Sequence, residues 1–234
     1  FTGIASAYAI DPIGEWYFDE GAGNFAADSS GNGNHGTLSG GKFGGCLDFD
    51  GDNDYVVVSD DATLDVSQFT LEAWIYPRSY TNTWPRIIHK ENYELDLYIS
   101  GTNLAINIGP GNNAFYSNTG VITLDEWQHI AATCDGSQVI FYVNGIQVGT
   151  HSTTLTAGAD TTDLYIGNRP VLARGFDGLI DEVRISNFAR TSFDLSQGPI
   201  NDAGTVGLWR FDEGTGQVGA DSTTVIDGQL GSTT

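Results

Sequence analysis

Three stretches of this chain gather side chains able to do chemistry. In YELDLY (93–98), a strand of period two would set Glu94 and Asp96 on one face. Three carboxylates in such a row supply the nucleophile, helper and acid/base of a retaining glycosidase, whose two working carboxyl groups stand about 5 Å apart. The third place is taken by Tyr98, so the acid/base is missing and the row reads as non-catalytic. In DSSGNGNHG (28–36), Asp28, Ser30, Asn32 and Asn34 alternate along a glycine-rich loop that can bend around an ion. Calcium takes about six to eight hard oxygens, and such loops offer side-chain and carbonyl oxygens together. The same composition suits a plain turn. His35 is read as a loop residue, because imidazole suits zinc better than calcium. The third stretch, YPRSYTNTWPR (76–86), holds Tyr80 and Trp84 beside Arg78 and Arg86, and GNNAFYSN (111–118) adds Phe115 and Tyr116. Sugar rings stack on aromatic faces while their hydroxyls need donors and acceptors, so Tyr80, Trp84, Arg86, Phe115 and Tyr116 are candidate ligand residues. The alternative is loops folded over their own aromatics.

Other catalytic patterns are absent: there is no G-x-S-x-G, no H-E-x-x-H and no P-loop. His89, His129 and His151 fall in different strands without an identifiable serine or cysteine partner. With 30 acidic and 9 basic residues, the net charge of -21 repels phosphate backbones and anionic membrane surfaces. Nucleic acid is therefore excluded as a partner. No apolar run approaches the roughly 18 residues of a membrane-spanning helix, which argues against membrane insertion.

The elements that must hold these residues are strands. Short runs recur between Gly, Asn and Asp: GCLDFDG (45–51), DYVVVSD (54–60), FTLEAWIYP (69–77), RIIHKE (86–91), YELDLYI (93–99), NLAINIG (103–109), WQHIAATCD (127–135), QVIFYVNG (138–145), IQVGTHS (146–152), DLYIGN (163–168) and GLIDEVRIS (178–186). EWYFDE (15–20) precedes them. Their period-two alternation fits antiparallel sheets with one face buried and one wet. VNGI (143–146) is a strong hairpin signal. Only ISNFARTSFDLS (185–196) hints at a helical turn or two. The fold class is all-β, a two-sheet antiparallel sandwich.

Cys46 and Cys134 belong to no metal-binding pattern and are read either as a disulfide or as two buried thiols. FTGIASAYA (1–9) ends in the A-x-A shape cut by signal peptidase, with cleavage expected before Ile10. Residues 1–12 thus resemble the end of a secretion signal, and the expected location is secreted, extracellular or at the cell surface.

GLWRFDEGTGQVGADS (207–222) nearly repeats GEWYFDEGAGNFAADS (14–29). Alone, so short a copy buries too little apolar surface to fold. Three readings stand: the start of a second module in a tandem array, an extra strand on its own domain, or a strand donated to an identical subunit.

WYFDEGAGNFAADSSGNGNHGTL, GKFGGCLDFDGDNDYVVV, FTLEAWIYP, WQHIAATCDGSQVIFYVNGIQVG, LYIGN and FDGLIDEVRISNFART follow one another as in laminin-G-like jelly-roll domains, which are concanavalin A-like sandwiches. The resemblance covers roughly residues 13–197 and leaves 198–204 as a linker and 205–234 as a partial repeat. It implies that the opening W-x-F-D-E strand meets the closing strand around Val183 at one edge. It implies a structural Ca2+ where the 28–36 loop nears that strand, with Asp181 as the matching ligand beside Asp28, Ser30, Asn32 and Asn34. Laminarinase-like enzymes share this jelly roll and carry Glu-x-Asp-x-Glu, which YELDLY only approaches. The expected function is a non-catalytic extracellular binding or adhesion module whose partner is a glycan or cell-surface polysaccharide. Alternatives are a filament or surface-layer subunit joined to identical subunits through residues 205–234, and an accessory domain of a polysaccharide-degrading enzyme.

Overall fold

The computed structural model describes residues 25–26, 36–37, 41–90, 95–109, 111, 113–171, 174–213, 218–223 and 226–231. A small hairpin, β1 (Phe25–Ala26) with β2 (Gly36–Thr37), comes first. The sandwich is built from β3 (Leu47–Asp50), β4 (Tyr55–Val58), β5 (Phe69–Pro77), β6 (Arg86–Lys90), β7 (Leu95–Ser100), β8 (Asn103–Ile108) and β9 (Ala114–Tyr116). It continues with β10 (Gln128–Cys134), β11 (Gln138–Val143), β12 (Ile146–Ser152), β13 (Leu164–Ile166), β14 (Asp177–Ser186), β15 (Thr205–Trp209), β16 (Val218–Gly219) and β17 (Gly228–Gly231). One sheet runs β12-β11-β10-β5-β14, with β3 and β15 sharing the far edge of β14. The other runs β16-β17-β4-β13-β6-β7-β8-β9. No helix among the described residues is long and apolar enough to cross a membrane.

Alternation sets the core. In β5, Leu71, Ala73 and Ile75 point inward and are fully buried, as are Leu97, Ile106 and Ile166 from the opposing sheet. The Asn144-Gly145 turn has positive φ at both residues, the conformation that matches strand twist in a two-residue hairpin. Asn144 secures it by accepting the His129 N–H through its side-chain oxygen at 2.9 Å.

The outer face of the first sheet departs from expectation. Glu72, Trp74 and His129 point outward yet are 2–4% exposed. The cause is the segment 187–202, which overlaps the stretch 185–196 expected to hold a helical turn or two and crosses this face without helix, together with Lys42 and Phe43, which cover Trp74. Thr70 Oγ1 donates to Phe188 O at 2.7 Å, and Phe193 stacks on His129 and Tyr142.

Of the two readings of Cys46 and Cys134, the disulfide is not formed; both are free thiols, Cys46 half-buried and Cys134 buried. Cys134 pairs with Phe69, whereas Leu47, next to Cys46, pairs with Ile180 and through it with Ile75 at the other end of β5. That offset is on the order of 17 Å along the strands, far beyond the roughly 7 Å between Cα atoms that a disulfide spans.

The opening strand expected at 15–20 lies outside the described residues. The partner of Val183 is Trp209, from the closing copy of the repeat. Trp209 is fully buried and donates Nε1–H to Ile226 O at 3.1 Å. β17 then adds to β4 on the opposite sheet through Leu230↔Val56 and Gln229↔Val57. Asp221 ties the two parts together by accepting N–H bonds from Leu208, Thr223 and Ile226, and the Thr223 hydroxyl. Residues 205–209 and 228–231 therefore add to both sheets of their own chain. A strand too short to fold alone is stable here because each sheet supplies a paired edge.

Candidate functional site

β6, β7 and β8 place a charged network on the outer face of the second sheet. Period two opposes Asp96 and Tyr98 to the core residues Leu95, Leu97 and Ile99, and the register sets His89 and Asn107 on either side of Asp96. His89 Nδ1 lies 3.2 Å from Asp96 Oδ1, and Asn107 Nδ2 donates to Asp96 Oδ2 at 2.9 Å. Arg86 Nε stands 3.0 Å from Asp96 Oδ1, close enough for an ion pair but not aligned as a hydrogen bond. The Arg86 guanidinium stacks on the Tyr98 ring at 4.4 Å, and Tyr98 is hydrogen-bonded to Tyr116. Burial draws the Arg86 pKa below the ordinary arginine value, with Asp96 opposing the shift.

This network opens to solvent at Trp84. The indole is 44% exposed and its backbone adopts φ 59, a conformation that a bulky residue keeps only when its surroundings enforce it. Those surroundings are visible. Arg86 Nη1 donates to Trp84 O at 3.0 Å, Arg174 Nη1 to Thr83 O at 2.6 Å, and Asn82 Nδ2 to Gly175 O at 2.8 Å. Arg174 also stacks on the indole at 4.6 Å. The Nε–H groups of Arg86, Arg169 and Arg174 are buried and donate to no acceptor among the described residues, and Arg169 and Arg174 add their charge to the field at Arg86. Against this set stands Asp96.

The candidate ligand residues divide accordingly. Trp84, Arg86 and Tyr116, which is 39% exposed, converge through Tyr98. Tyr80 is 36% exposed but spends its hydroxyl on Ile122 O at 2.7 Å. Phe115 packs against the core and His151. Of the YELDLY row, Glu94 lies outside the described residues, Asp96 is locked in its ion pair, and Tyr98 serves as the stacking surface for Arg86.

Asp181 marks a second charged region. A bulge in β14 between Asp181 and Arg184 gives Glu182 φ 51 at the place where pairing with the start of β3 gives way to pairing with the end of β15. Asp181 is fully buried; its Oδ2 accepts the N–H groups of Lys42 and Phe43, while its Oδ1 has no partner among the described residues. Asp212 accepts the Gly45 N–H at 2.8 Å, and Glu182 pairs with Arg210 at 2.8 Å. Burial, aided by the charge of Asp212, pushes the Asp181 carboxyl up to about 7. Burial also raises Glu182 to about 8, although Arg210 opposes it. Asp28, Ser30, Asn32 and Asn34 lie outside the described residues. Among the described residues, no three His, Cys, Asp or Glu side chains converge to hold a metal.

Sequence reasoning missed a third arrangement. Under the 187–202 segment a cavity of about 160 Å³ is lined by Glu72, His129, Arg184 and Arg190. Glu72 takes Arg184 on one oxygen at 2.6 Å and His129 Nε2 on the other at 2.9 Å. Arg190 grips Asp202 with two bonds, of 2.7 and 2.9 Å. The signal was polar residues on outward positions of β5, β10 and β14, which also fits a wet surface.

The comparisons bear on this geometry. A sequence profile of the concanavalin A-like lectin/glucanase superfamily, laminin-G type, matches residues 50–196. This chain belongs to that family. No curated protein sequence matches it. Among solved structures, a proposed carbohydrate-binding protein from Bacteroides ovatus ATCC 8483 superposes on the laminin-G-like sandwich with TM-score 0.65 at 22% identity, covering 90% of this chain and 66% of that one. This chain thus spans just under two thirds of that protein's length. The CBM40 of the Ruminococcus gnavus IT-sialidase gives TM-score 0.50 at 13% identity over 62% of this chain and 91% of its own. A leech intramolecular trans-sialidase, complexed with 2,7-anhydro-Neu5Ac, gives 0.50 at 14% identity over 67% and 27%. At these identities the shared property is the laminin-G-like jelly roll.

Proposed function

We propose that this laminin-G-like chain is a non-catalytic carbohydrate-binding module, and that it binds at the end of the second sheet around Trp84. The observation that carries this reading is an exposed indole held rigid by a pinned loop among three guanidinium groups. A rigid aromatic face beside fixed donors is the arrangement a sugar ring needs, and its ordering cost is already met in the folded protein. In a chain of net charge -21, Arg86 pairs with Asp96 while Arg169 and Arg174 lie close enough to act on Arg86, so positive charge gathers here. That charge favours a glycan bearing a carboxylate, which arginine receives through paired donors. The Bacteroides and CBM40 likenesses support the carbohydrate class by fold, and fold alone does not fix function. The lack of catalysis is supported by Tyr98 at the acid/base place and by the ion pair that holds Asp96.

Calcium belongs to the same proposal. An unpartnered, buried Asp181 Oδ1 beside further carboxyls suits a hard cation, with Asp28, Ser30, Asn32 and Asn34 as the remaining oxygens. The ion would neutralise the buried carboxyl charge at the β14 bulge. The module would act outside the cell or at its surface.

Native affinity electrophoresis against neutral and uronic-acid polysaccharides tests the binding site. Retardation in the acidic gels, abolished by Trp84→Ala without loss of the fold, is expected. Unretarded migration in every gel would overturn the reading.

A further inference from the structure

The edge formed by β14 and β4 receives a plug made of one strand and one hairpin, residues 207–231. Its demands are specific. A Cβ on Gly207 would lie 2.4 Å from the Trp209 ring, and one on Gly228 would lie 2.4 Å from Val56, so both positions need glycine. Trp209 must fill the core, Asp212 must meet the Gly45 N–H, and Asp221 must bind Leu208 to Ile226. The opening copy carries Gly14, Trp16, Asp19, Asp28 and Gly36 at the matching places.

The likeness extends to backbone pairing. β16 and β17 pair as Val218↔Gln229 and Gly219↔Gly228. β1 and β2 pair as Phe25↔Thr37 and Ala26↔Gly36, the same hairpin in the same register. Yet β16–β17 joins β4, while β1–β2 stands as a sheet of its own among the described residues. We propose that this edge accepts either copy, and that residues 14–38 are its second occupant. Among the described residues there is one such edge, and two segments of the sequence fit it, so the copy that is not seated is available for the same edge on a second chain.

Three differences account for the closing copy being the one seated. Leu208 is fully buried beside Arg184, where the opening copy has Glu15. Arg210 neutralises buried Glu182 at 2.8 Å, where the opening copy has Tyr17. Gly219 would bring a Cβ to 3.0 Å from the Phe211 ring, and the opening copy has Ala26 there.

Cysteine trapping in the full chain reads the occupant. Val57 faces Gln229 in the seated plug, and Thr37 is the counterpart of Gln229. Val57→Cys with Gln229→Cys reports the closing copy; Val57→Cys with Thr37→Cys reports the opening one. The native thiols compete little, since burial pushes Cys46 up to about 12 and raises Cys134 as well. The first pair is expected to cross-link readily and the second slowly. Giving the closing copy its rival's residues, Leu208→Glu with Arg210→Tyr, should move the two yields toward roughly equal shares, because the occupants then differ little in affinity. Arg210→Tyr alone, at a half-buried site, should give a smaller shift in the same direction. A bond from residue 37 that runs as a monomer places the opening copy in its own chain, and one that runs as a dimer places it in a second chain; both support the proposal. Absence of that bond in every background, with residue 229 still cross-linking, would overturn it. So would a folded double variant that forms neither bond.

Discussion

Buried charge is handled in opposite ways at two places in this sandwich. On the outer face of the second sheet, Asp96 is fully buried but surrounded by Arg86, His89 and Asn107. At the bulge of β14, Arg210 pairs with Glu182 and Asp212 accepts the Gly45 N–H, while Asp181 Oδ1 has no partner among the described residues. The first region is compensated from within, so it is a rigid platform that leaves the adjoining arginines to face a ligand. In the second, burial and the neighbouring carboxyl charges raise Asp181 and Glu182 even with Arg210 beside Glu182, so its charge is less well compensated. Removing one member of a compensated group exposes the cost of the charge left behind, whereas an undercompensated group is relieved when charge is added or removed.

The largest effect should follow from breaking the balanced region. Asp96→Ala strands a buried guanidinium and should cost about 3–5 kcal/mol in urea unfolding. A loss below about 1 kcal/mol would mean that Arg86 reaches solvent and that the two regions do not differ as described.

Supplying the missing charge should come next. Calcium at about a hundred times its dissociation constant should add about 2.7 kcal/mol, a rise of about 5–10 °C in Tm over the chelated protein. Asp181→Asn should abolish that rise. An equal rise in the variant would move the ion elsewhere.

A smaller effect should separate the regions by pH. Glu182 is raised from 4.5 to about 8, so the folded state holds its proton more tightly than the unfolded state. Its contribution is therefore most favourable below its unfolded pKa and is lost as pH rises toward 8. In chelator, the wild type should lose about 1–2 kcal/mol more than Glu182→Gln between pH 6 and pH 8. Parallel pH curves for the two proteins would contradict the assignment. The smallest stability effect belongs to Trp84→Ala, within about 0.5 kcal/mol of wild type because the side chain is largely outside the core.

Much of the architecture was legible because its cause is local. Leu71, Ala73 and Ile75 alternate with outward residues, and Asn144-Gly145 needs the positive φ that its hairpin supplies. The choice between a disulfide and two free thiols was not legible, because the separation of Cys46 from Cys134 depends on the register of β3, β14 and β5. Nor was the burial of Glu72 and His129, since a polar residue facing outward looks the same under a covering segment as in water. The identity of the strand against Val183 was beyond local reasoning for a different cause: two copies of nearly the same sequence carry most of the residues that edge uses. At the proposed binding surface, Trp84, Arg86 and Tyr116 were marked by residue type, but Asp96 and Arg174 entered only through cross-strand pairing and loop contact.

The central claim, that a glycan stacks on Trp84 against the arginine cluster, is tested most directly by titration calorimetry. An acidic oligosaccharide released from a retarding polysaccharide would be titrated into the wild type, Trp84→Ala and Tyr80→Phe. The account predicts a loss of at least about tenfold in affinity, or about 1.4 kcal/mol, for Trp84→Ala and none for Tyr80→Phe. Unchanged affinity in a folded Trp84→Ala protein would contradict it.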